Sequence, residues 1–412
     1  MLGEELAKCS NLQLLQLSLK SNKIENIGAV KLFNSLSECV NLTYLQIQLD
    51  YNKIGEQGVT SLATMLKQLT YLQSLDLSLK KNQIQQKGVE NLSNGLALCT
   101  KLKDLKIILD YNKICNSDTI YLSNALKQLT EIIFLHLSFV NSEINQSGID
   151  NLSTGISYCK QLQKLNLYLN QNKINDIAVY NLGNGIAQCQ NLDCLKLNLN
   201  ENKIKNCDIS IFFMKFQNLK HLQQLSLNLS NNSLRDSSIL NFEKQLLESI
   251  NLNSLKLSFR STLISLNGMS KLIDQILQSK NIIRLNLNPF IYYSLLEFNK
   301  ALNNSQNLKS LTLQYDKLKN EELKNLGTCL ASSKFIRNFT LKISQCNNSD
   351  SDEEVVVDFL EKISLNNQLF TLNIILPYEL GKRDSNKIEK KQIILQQKCQ
   401  RLLYFQVDYV EY

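Results

Sequence analysis

The chain has 412 residues, of which 43% are hydrophobic, 13 are Gly, 2 are Pro and none is Trp. This apolar content excludes a disordered chain, because disordered segments lack the large aliphatic side chains that bury a core. The formal net charge of +8 comes almost wholly from Lys and forms no Arg/Lys cluster with interleaved aromatic residues. The charge therefore indicates a solvated surface and no specific nucleic-acid site.

From its first residues the chain follows a repeat of about 30 residues, and each unit begins with an L-x-x-L-x-L-x-L pattern. Such alternation predicts a strand with one buried face. An Asn follows the strand, and we expect its amide to bond backbone groups that the turn leaves unpaired, forming a ladder along the stack. The ladder residues are Asn22, Asn52, Asn82, Asn112, Asn172, Asn202 and Asn232, with Ser142 as the one departure.

The second half of each unit changes to helical spacing. Val59, Leu62 and Leu66 stand at i, i+3 and i+7, which predicts a helix with one apolar stripe facing the core. The small residues at which we expect neighbouring helices to approach closely are Gly95, Ala125, Gly155 and Gly185.

Six of the 11 cysteines occupy one repeat position, where other units carry Leu. A position that accepts Cys or Leu requires a small hydrophobic residue rather than a disulfide partner. We therefore expect these cysteines to be reduced and buried, in a soluble cytoplasmic protein with neither a signal peptide nor a membrane-spanning segment. They are Cys9, Cys39, Cys99, Cys159, Cys189 and Cys399.

Strand, Asn turn and full helix in units of this length resemble the ribonuclease-inhibitor type of leucine-rich repeat. Similar Asn-, Gln- and Lys-rich versions recur in ciliate protists. The family core reads L-x-x-L-x-L-x-x-N, whereas here an extra L-x precedes the Asn, which predicts a strand that is longer by two residues. The resemblance implies an α/β leucine-rich-repeat solenoid of about fourteen repeats, with parallel strands on one face and helices on the other.

Parallel strands lie about 4.8 Å apart and packed helices about 8–10 Å apart, so each unit is a wedge. Stacked wedges bend into a horseshoe with the strands on its concave face and the helices on its convex face. We expect regular repeats over residues 1–280 and irregular C-terminal repeats, continuous with the same solenoid, over residues 281–412.

Two further features concern the repeats and the insertions between them. Asp50-Tyr51 recurs as Asp110-Tyr111, a doubled period that either records duplication of a two-repeat block or shows that alternating units pack well. Residues 347–354 are expected to form a solvated acidic loop, and phosphorylation of its serines, including Ser349, stays open. Residues 382–391 are expected to form a solvated helix start or linker.

The sequence offers little for catalysis. Its two histidines, His136 and His221, have no Cys or Ser at a spacing that suggests a nucleophile pair, and we expect both to be solvated. Phosphate-binding, dinucleotide, kinase and zinc-protease motifs do not occur. We therefore expect no enzyme activity, no metal site and no cofactor.

The exposed face of the strands is the expected binding surface. Acidic residues occupy its first four units and basic residues gather from Lys164 onward, with a less polar spot around Phe134, His136, Val140 and Tyr168 between them. Interfaces favour aromatic anchors within a polar rim, although a sheet rich in Ser, Asn and Gln can also be simply solvated. The predicted contact residues are Lys106, Phe134, His136, Lys164, Tyr168, Lys196, Lys256, Arg260 and Arg284.

These observations predict a non-enzymatic scaffold that binds a protein partner on its concave face. Two alternatives stay open. The chain could regulate another enzyme, as a GTPase-activating protein or an inhibitor, or it could be the recognition segment of a longer protein such as a kinase or a ubiquitin-ligase subunit. The identity of the partner and the oligomeric state do not follow from the sequence.

Overall fold

The computed structural model describes residues 2–9, 11–205, 212, 214–239, 251–288, 295–317, 320–345, 351–366, 368–377 and 404–410. The chain forms two compact units, Met1–Ser238 and Ile239–Tyr412. Each unit consists of parallel strands that alternate with helices along the chain.

The described strands of the first unit are β1 Leu14–Ser18, β2 Tyr44–Gln48, β3 Ser74–Ser78, β4 Asp104–Ile108, β5 Phe134–Ser138, β6 Lys164–Tyr168, β7 Cys194–Asn198 and β8 Gln224–Asn228. Its described helices are α1 Leu2–Ala7, α2 Asn26–Leu36, α3 Glu56–Gln68, α4 Gln86–Leu96, α5 Asp118–Gln128, α6 Gln146–Ser157, α7 Asp176–Ile186 and the 3-10 helix Lys215–Asn218. Each strand pairs in parallel with the next one along the chain, in register from repeat to repeat. The first unit is therefore an α/β leucine-rich-repeat stack, as the sequence predicts.

The second unit has the same organisation. Its described strands are β9 Ser254–Ser258, β10 Arg284–Asn288, β11 Ser310–Lys317, β12 Asn338–Gln345, β13 Thr371–Pro377 and β14 Tyr404–Val410, and its described helices are α8 Leu266–Gln278, α9 Leu295–Asn304, α10 Asn320–Ala331 and α11 Ser351–Ile363. A short 3-10 helix, Asp236–Ile239, precedes them. The strands again pair in parallel and in chain order.

The strands of the first unit are shorter than the extra L-x predicts. Each has five residues, so β1 ends at Ser18 and not two residues later. The backbone hydrogen bonds nevertheless continue beyond the strand: Leu19 N–H donates to the carbonyl of Gln48 at 2.8 Å, and Ser21 N–H donates to Asp50 at 2.9 Å. Ser21 has a left-handed φ of 58°, so the chain turns there and leaves extended geometry.

The acidic segment is not wholly the loop that the sequence predicts. Residues 347–350 lie outside the described part of the chain, but Ser351 to Glu354 form the first turn of α11 instead of a loop. Residues 382–391 also lie outside the described residues.

The asparagine at each turn joins two repeats. The Asn172 side-chain oxygen accepts from the N–H groups of Ser142 at 3.1 Å and Ile144 at 2.9 Å, both in the preceding repeat. Its amide nitrogen donates to the carbonyl of Phe139 in that repeat at 2.8 Å and to Leu169 in its own at 3.0 Å. The asparagines that make the same kind of bridge are Asn52, Asn82, Asn112, Asn202 and Asn232.

Two turns depart from this arrangement. Asn22 is exposed, and its amide nitrogen donates to the Lys20 carbonyl of its own turn at 2.9 Å. The Ser142 side chain is shorter than that of Asn and does not reach the preceding repeat. Its hydroxyl contacts the carbonyl of Val140 in its own turn at 3.4 Å. Ser142 therefore leaves one position of the amide ladder unfilled.

Helices of neighbouring repeats contact each other through small residues. A Cβ atom added at Gly155 would lie 2.7 Å from the Ser123 Cα, and one added at Gly185 would lie 2.5 Å from the Ser153 carbonyl oxygen. Both distances are shorter than van der Waals contact, so only a glycine fits at these two crossings.

The repeat cysteines fill the space between units. Cys39, Cys99, Cys159 and Cys189 are free and buried, and each thiol points at a backbone carbonyl of the preceding repeat. Burial raises the pKa of Cys99, Cys159 and Cys189 to about 12, so these thiols are unreactive. Cys9 is exposed, contrary to the prediction. Cys399 lies outside the described residues.

We expect Asn172→Ala to lower the free energy of unfolding by about 3 kcal/mol, because it leaves buried backbone donors and acceptors of two repeats without partners. Asn22→Ala is the matched control and should cost less than about 1 kcal/mol, since it removes an exposed hydrogen bond within one turn. Urea denaturation followed by circular dichroism measures both. Equal costs for the two variants would contradict a bridging role for the amide.

Gly155→Ala should destabilise the fold by about 1–3 kcal/mol, because the added methyl group overlaps backbone atoms of α5 that cannot rotate away. The control is Gly28→Ala, where the nearest atom to an added Cβ is a side-chain methyl group of Ile24 at 3.2 Å. There the higher helix propensity of Ala should make the change neutral or stabilising by up to about 1 kcal/mol. The same denaturation assay decides between them, and a neutral Gly155→Ala would show that the helices are not held this closely.

Candidate functional site

The candidate site lies on the strand face of the first unit, defined as the side chains at the first, third and fifth positions of β1–β8. The second and fourth positions, such as Leu165 and Leu167 of β6, are buried. Side chains alternate along a strand, so the other positions point to the opposite side of the sheet. The in-register pairing places equivalent residues of successive repeats side by side in columns.

Charges are segregated along this face. Its acidic residues, Asp76 and Asp104, lie on β3 and β4, whereas β5–β8 carry no carboxylate at the outward positions. Lys164 and Lys196 lie in that acid-free half, on β6 and β7. The sequence prediction of acidic early repeats and basic later repeats therefore describes the strand face of this unit.

One of the two outward carboxylates of the acidic half, Asp76, is paired within the sheet, whereas Asp104 is exposed. The same carboxylate oxygen of Asp76 accepts from Gln46 at 2.8 Å and from the Lys106 ammonium at 3.1 Å. Lys106, one of the predicted contact residues, is therefore already paired. Asp110 is buried two residues after the end of β4, and its carboxylate accepts from the Ser138 hydroxyl at 2.6 Å and from the N–H of Val140 at 2.9 Å.

Three aromatic side chains form a cluster in the middle of the face. The imidazole of His136 stacks on the Tyr168 ring with a centroid distance of 5.2 Å and an interplanar angle of 24°. Phe134 meets the imidazole edge-on at 6.5 Å and 69°. All three residues are half-buried, so part of each ring faces solvent. We call Phe134, His136 and Tyr168 the aromatic cluster.

His136 is not the solvated histidine that the sequence predicts. Its pKa is lowered to about 4, chiefly by burial; the Lys106 ammonium adds to this shift, Asp76 opposes it, and Lys196 also lowers the pKa. The imidazole is therefore neutral at physiological pH and offers a ring without a charge. His221, in contrast, is exposed.

The two lysines beside the cluster have no acidic partner. Lys164 stands directly opposite Phe134 on the next strand, and Lys196 stands opposite Asn166. Both side chains are exposed, and no carboxylate of the described residues lies within 4.0 Å of either ammonium. They remain available to an external anion.

The nine predicted contact residues fall into two sets. Lys106, Phe134, His136, Lys164, Tyr168 and Lys196 are together on four adjacent strands of the first unit. The remaining three belong to the second unit: Lys256 lies on β9, Arg260 follows it, and Arg284 begins β10. All three are exposed, and the Arg284 guanidinium donates to the Asn253 side chain at 3.2 Å.

Sequence reasoning missed a second cluster at the turn edge, where the strands end. The ammonium of Lys81 lies 5.1 Å from the Tyr51 ring and 5.2 Å from the Tyr111 ring, and the Lys80 ammonium lies 5.8 and 5.4 Å from the same two rings. The available signal was the doubled period, because Tyr51 and Tyr111 both follow an Asp in alternate repeats. Since the lysines of the intervening repeat fill the space between the tyrosines, this contact favours the packing interpretation of that period.

Another missed feature lies at the helix starts. The Asn26 side-chain oxygen accepts from the N–H groups of Gly55 at 2.8 Å and Gly58 at 3.1 Å, which open the helix of the next repeat. Glu56 does the same one repeat later, for Lys87 at 3.0 Å and Gly88 at 3.3 Å. These caps act between repeats, so the usual signal of a capping residue within the same helix is absent.

Within the described residues, no group of three or more His, Cys, Asp or Glu side chains is placed to hold a metal ion. Of the helices that the structure describes, none combines the length and the apolar character needed to cross a bilayer.

No family model matches the chain, and no curated protein matches it. Among solved structures it is similar to the crystal structure of a TLR13–ssRNA13 complex, with 16% identity and a TM-score of 0.44, over 96% of this chain and 49% of that chain. It is also similar to Leiomodin-1 Actin-Binding Site 2 (ABS2), with 17% identity and a TM-score of 0.30, over 39% of this chain and 90% of that chain. The chain thus spans about half the length of the first of these structures.

The protonation of His136 tests the site geometry. The unfolded chain takes up a proton at an ordinary histidine pKa of about 6.5, whereas the folded chain does so only near about 4. Protons therefore favour the unfolded state, and stability should fall as the pH is lowered through this window.

We expect the ring signals of His136 to stay constant between pH 8 and about 5 in an NMR titration. His221→Gln identifies which of the two histidine signals belongs to His136. Lys106→Met should raise the pKa of His136, because it removes a nearby cation and frees Asp76. A His136 signal that titrates near its ordinary pKa would show that the imidazole is not buried on the strand face in this way.

Proposed function

We propose that this chain is a non-enzymatic scaffold that binds a protein partner on the strand face of its first unit. The observation that carries the proposal is the aromatic cluster with unpaired Lys164 and Lys196 beside it, on a sheet whose other outward residues are mostly Ser, Asn and Gln. Half-exposed rings beside a polar rim are the arrangement of interface anchors, and such anchors supply most of the energy of an interface.

Backbone groups of the strand face cannot supply the binding energy for a partner. The strands β2–β7 are paired on both sides, so their N–H and C=O groups are occupied within the sheet. Recognition must come from side chains, which is why a local departure from small polar residues is informative. Eight strands at about 4.8 Å spacing and about 17 Å length give a face of roughly 34 by 17 Å, or about 580 Å², somewhat below the roughly 800 Å² of one side of a standard-size interface.

Several finer assignments belong to the same proposal. Helices of 11–13 residues, α2–α7, follow the turns at Asn22 to Asn172, one of which has Ser142 in place of Asn, and they support the ribonuclease-inhibitor type of repeat. The free, buried cysteines support a reducing compartment such as the cytoplasm. Continuity of residues 281–412 with the regular repeats 1–280 in one curved stack stays a prediction.

Site-specific photo-crosslinking tests where a partner binds. We would replace Tyr168 on the strand face with p-benzoylphenylalanine, and separately replace Tyr158, which is 51% exposed at the end of α6. Irradiation in a lysate of the native cell should give a discrete crosslinked protein at position 168 and none at position 158. A partner crosslinked only at position 158, or at neither position, would contradict binding at the strand face.

A further inference from the structure

We propose that the partner presents an extended acidic segment, with carboxylates at alternate positions next to an aromatic or aliphatic anchor residue. This inference rests on the proposed function, because it assigns the occupant of the same face. It follows from three properties of the site: the spacing of the two unpaired lysines, the position of the aromatic cluster, and the pairing of Asp76 within the sheet, which leaves Asp104 as the one unpaired carboxylate of the described strand face.

The lysine spacing fits an extended peptide. Lys164 and Asn166 are two residues apart on β6, and Lys196 stands opposite Asn166 on β7. Lys164 and Lys196 are therefore diagonal neighbours, whose Cβ atoms lie about 7–8 Å apart. In an extended chain the side chains of residues i and i+2 point to the same side about 6.6–6.8 Å apart. Two carboxylates at such positions can each meet one ammonium.

The anchor position lies directly beside these cations. Phe134 borders Lys164 across the β5–β6 pair, and Tyr168 lies on the same strand as Lys164. The imidazole between the two rings is stacked and half-buried. A planar or branched side chain that follows the carboxylates would rest on this apolar floor, where burial of ring surface adds to the charge contacts.

The positive charges of Lys164 and Lys196 disfavour a basic partner on β6 and β7, and among the described residues of β3 and β4 only Asp104 is an unpaired outward carboxylate. Asp76 is held by Lys106 and Gln46, and buried Asp110 is held by Ser138 and a backbone N–H. Asp104, opposite Phe134 on β4, is exposed and unpaired, so it bounds the cluster on the β4 side. On the β6–β7 side the unpaired charges are the ammonium groups of Lys164 and Lys196. Since like charges placed against each other repel at an interface, the part of the face around Lys164 and Lys196 selects an acidic segment.

The distribution of charges on the face disfavours single-stranded nucleic acid, which also carries negative groups (phosphates) and aromatic rings (bases). A nucleic-acid strand needs a groove that follows consecutive phosphates. Here the outward positions of β5–β8 supply only Lys164 and Lys196, and the neighbouring strands carry Asp76 and Asp104. A peptide with two carboxylates needs no further cations, so we favour an acidic protein segment and treat nucleic acid as an outcome of the test.

The experiment is selection of a random 12-residue peptide display library on the immobilised full chain. We expect enrichment of peptides with Asp or Glu at alternate positions and a nearby Phe, Tyr, Trp, Leu or Ile. The enriched peptide is then synthesised with a fluorophore, and its Kd is measured by anisotropy. Lys164→Gln with Lys196→Gln should weaken binding about a hundredfold, at about tenfold for each ammonium removed.

The matched control is Lys31→Gln with Lys67→Gln, which removes the same charge from exposed positions on α2 and α3. We expect its Kd to stay within about twofold of the unmodified chain, because both sites are remote from the face and screened by salt. Tyr168→Ala should weaken binding about tenfold while the dependence on salt is unchanged. Circular dichroism of each variant confirms that the fold is intact.

The possible results separate the two proposals. Failure to enrich any peptide, or enrichment of peptides without acidic residues, would overturn the acidic-segment inference. If peptides without acidic residues are enriched and Tyr168→Ala weakens their binding, the inference fails but the proposal of a strand-face scaffold is supported. A fluorescent 20-nucleotide single-stranded RNA that binds more tightly than the peptide and has a lower affinity for the Lys164/Lys196 variant would overturn the inference in favour of nucleic acid.

Discussion

The amide bridge between successive turns is the interaction on which the rest of the first unit depends. Burying a turn between two repeats removes backbone N–H and C=O groups from water, and each such group left unpaired costs about 1–3 kcal/mol. One Asn side chain satisfies groups of both repeats at once, as Asn172 does for Ile144 and Phe139. Because its reach is fixed, the amide also fixes the position of one repeat on the next. The amide thereby adds to the strand pairing that holds successive repeats in register.

The columns explain why much of the fold could be predicted from the sequence. The strand positions, the Asn turns, the small residues between helices and the cysteine position all recur at the repeat period, so each is observed several times in one chain. The features that could not be predicted from the sequence are contacts between different positions of neighbouring repeats. The cap from Asn26 onto Gly58 is one example, because nothing near either residue in the sequence marks the other as its partner.

The candidate site shows the same division. Periodicity was sufficient to place Phe134, His136 and Tyr168 on one face, since the register follows from the leucines. It could not show that the imidazole is half-buried and stacked, nor that Lys106 is already paired with Asp76. Those facts depend on side-chain rotamers and on distances across strands. These facts change how the predicted contact residues are interpreted. With Lys106 paired and His136 neutral, Lys164 and Lys196 are the cations on the strand face of the first unit that an external group can reach.

The repeat that contributes Phe134 and His136 is also the one whose turn lacks the bridging Asn. Ser142 replaces it, and the serine hydroxyl contacts the carbonyl of Val140 in its own turn. Outward strand positions make no contribution to the amide ladder, so aromatic residues there are tolerated in any repeat. A missing amide, in contrast, removes hydrogen bonds between two repeats. Local unfolding occurs most readily where such contacts are fewest. The aromatic cluster thus lies beside the one interruption of the ladder among Asn52 to Asn232, and a partner that spans β4–β6 would hold together the two repeats that this interruption separates.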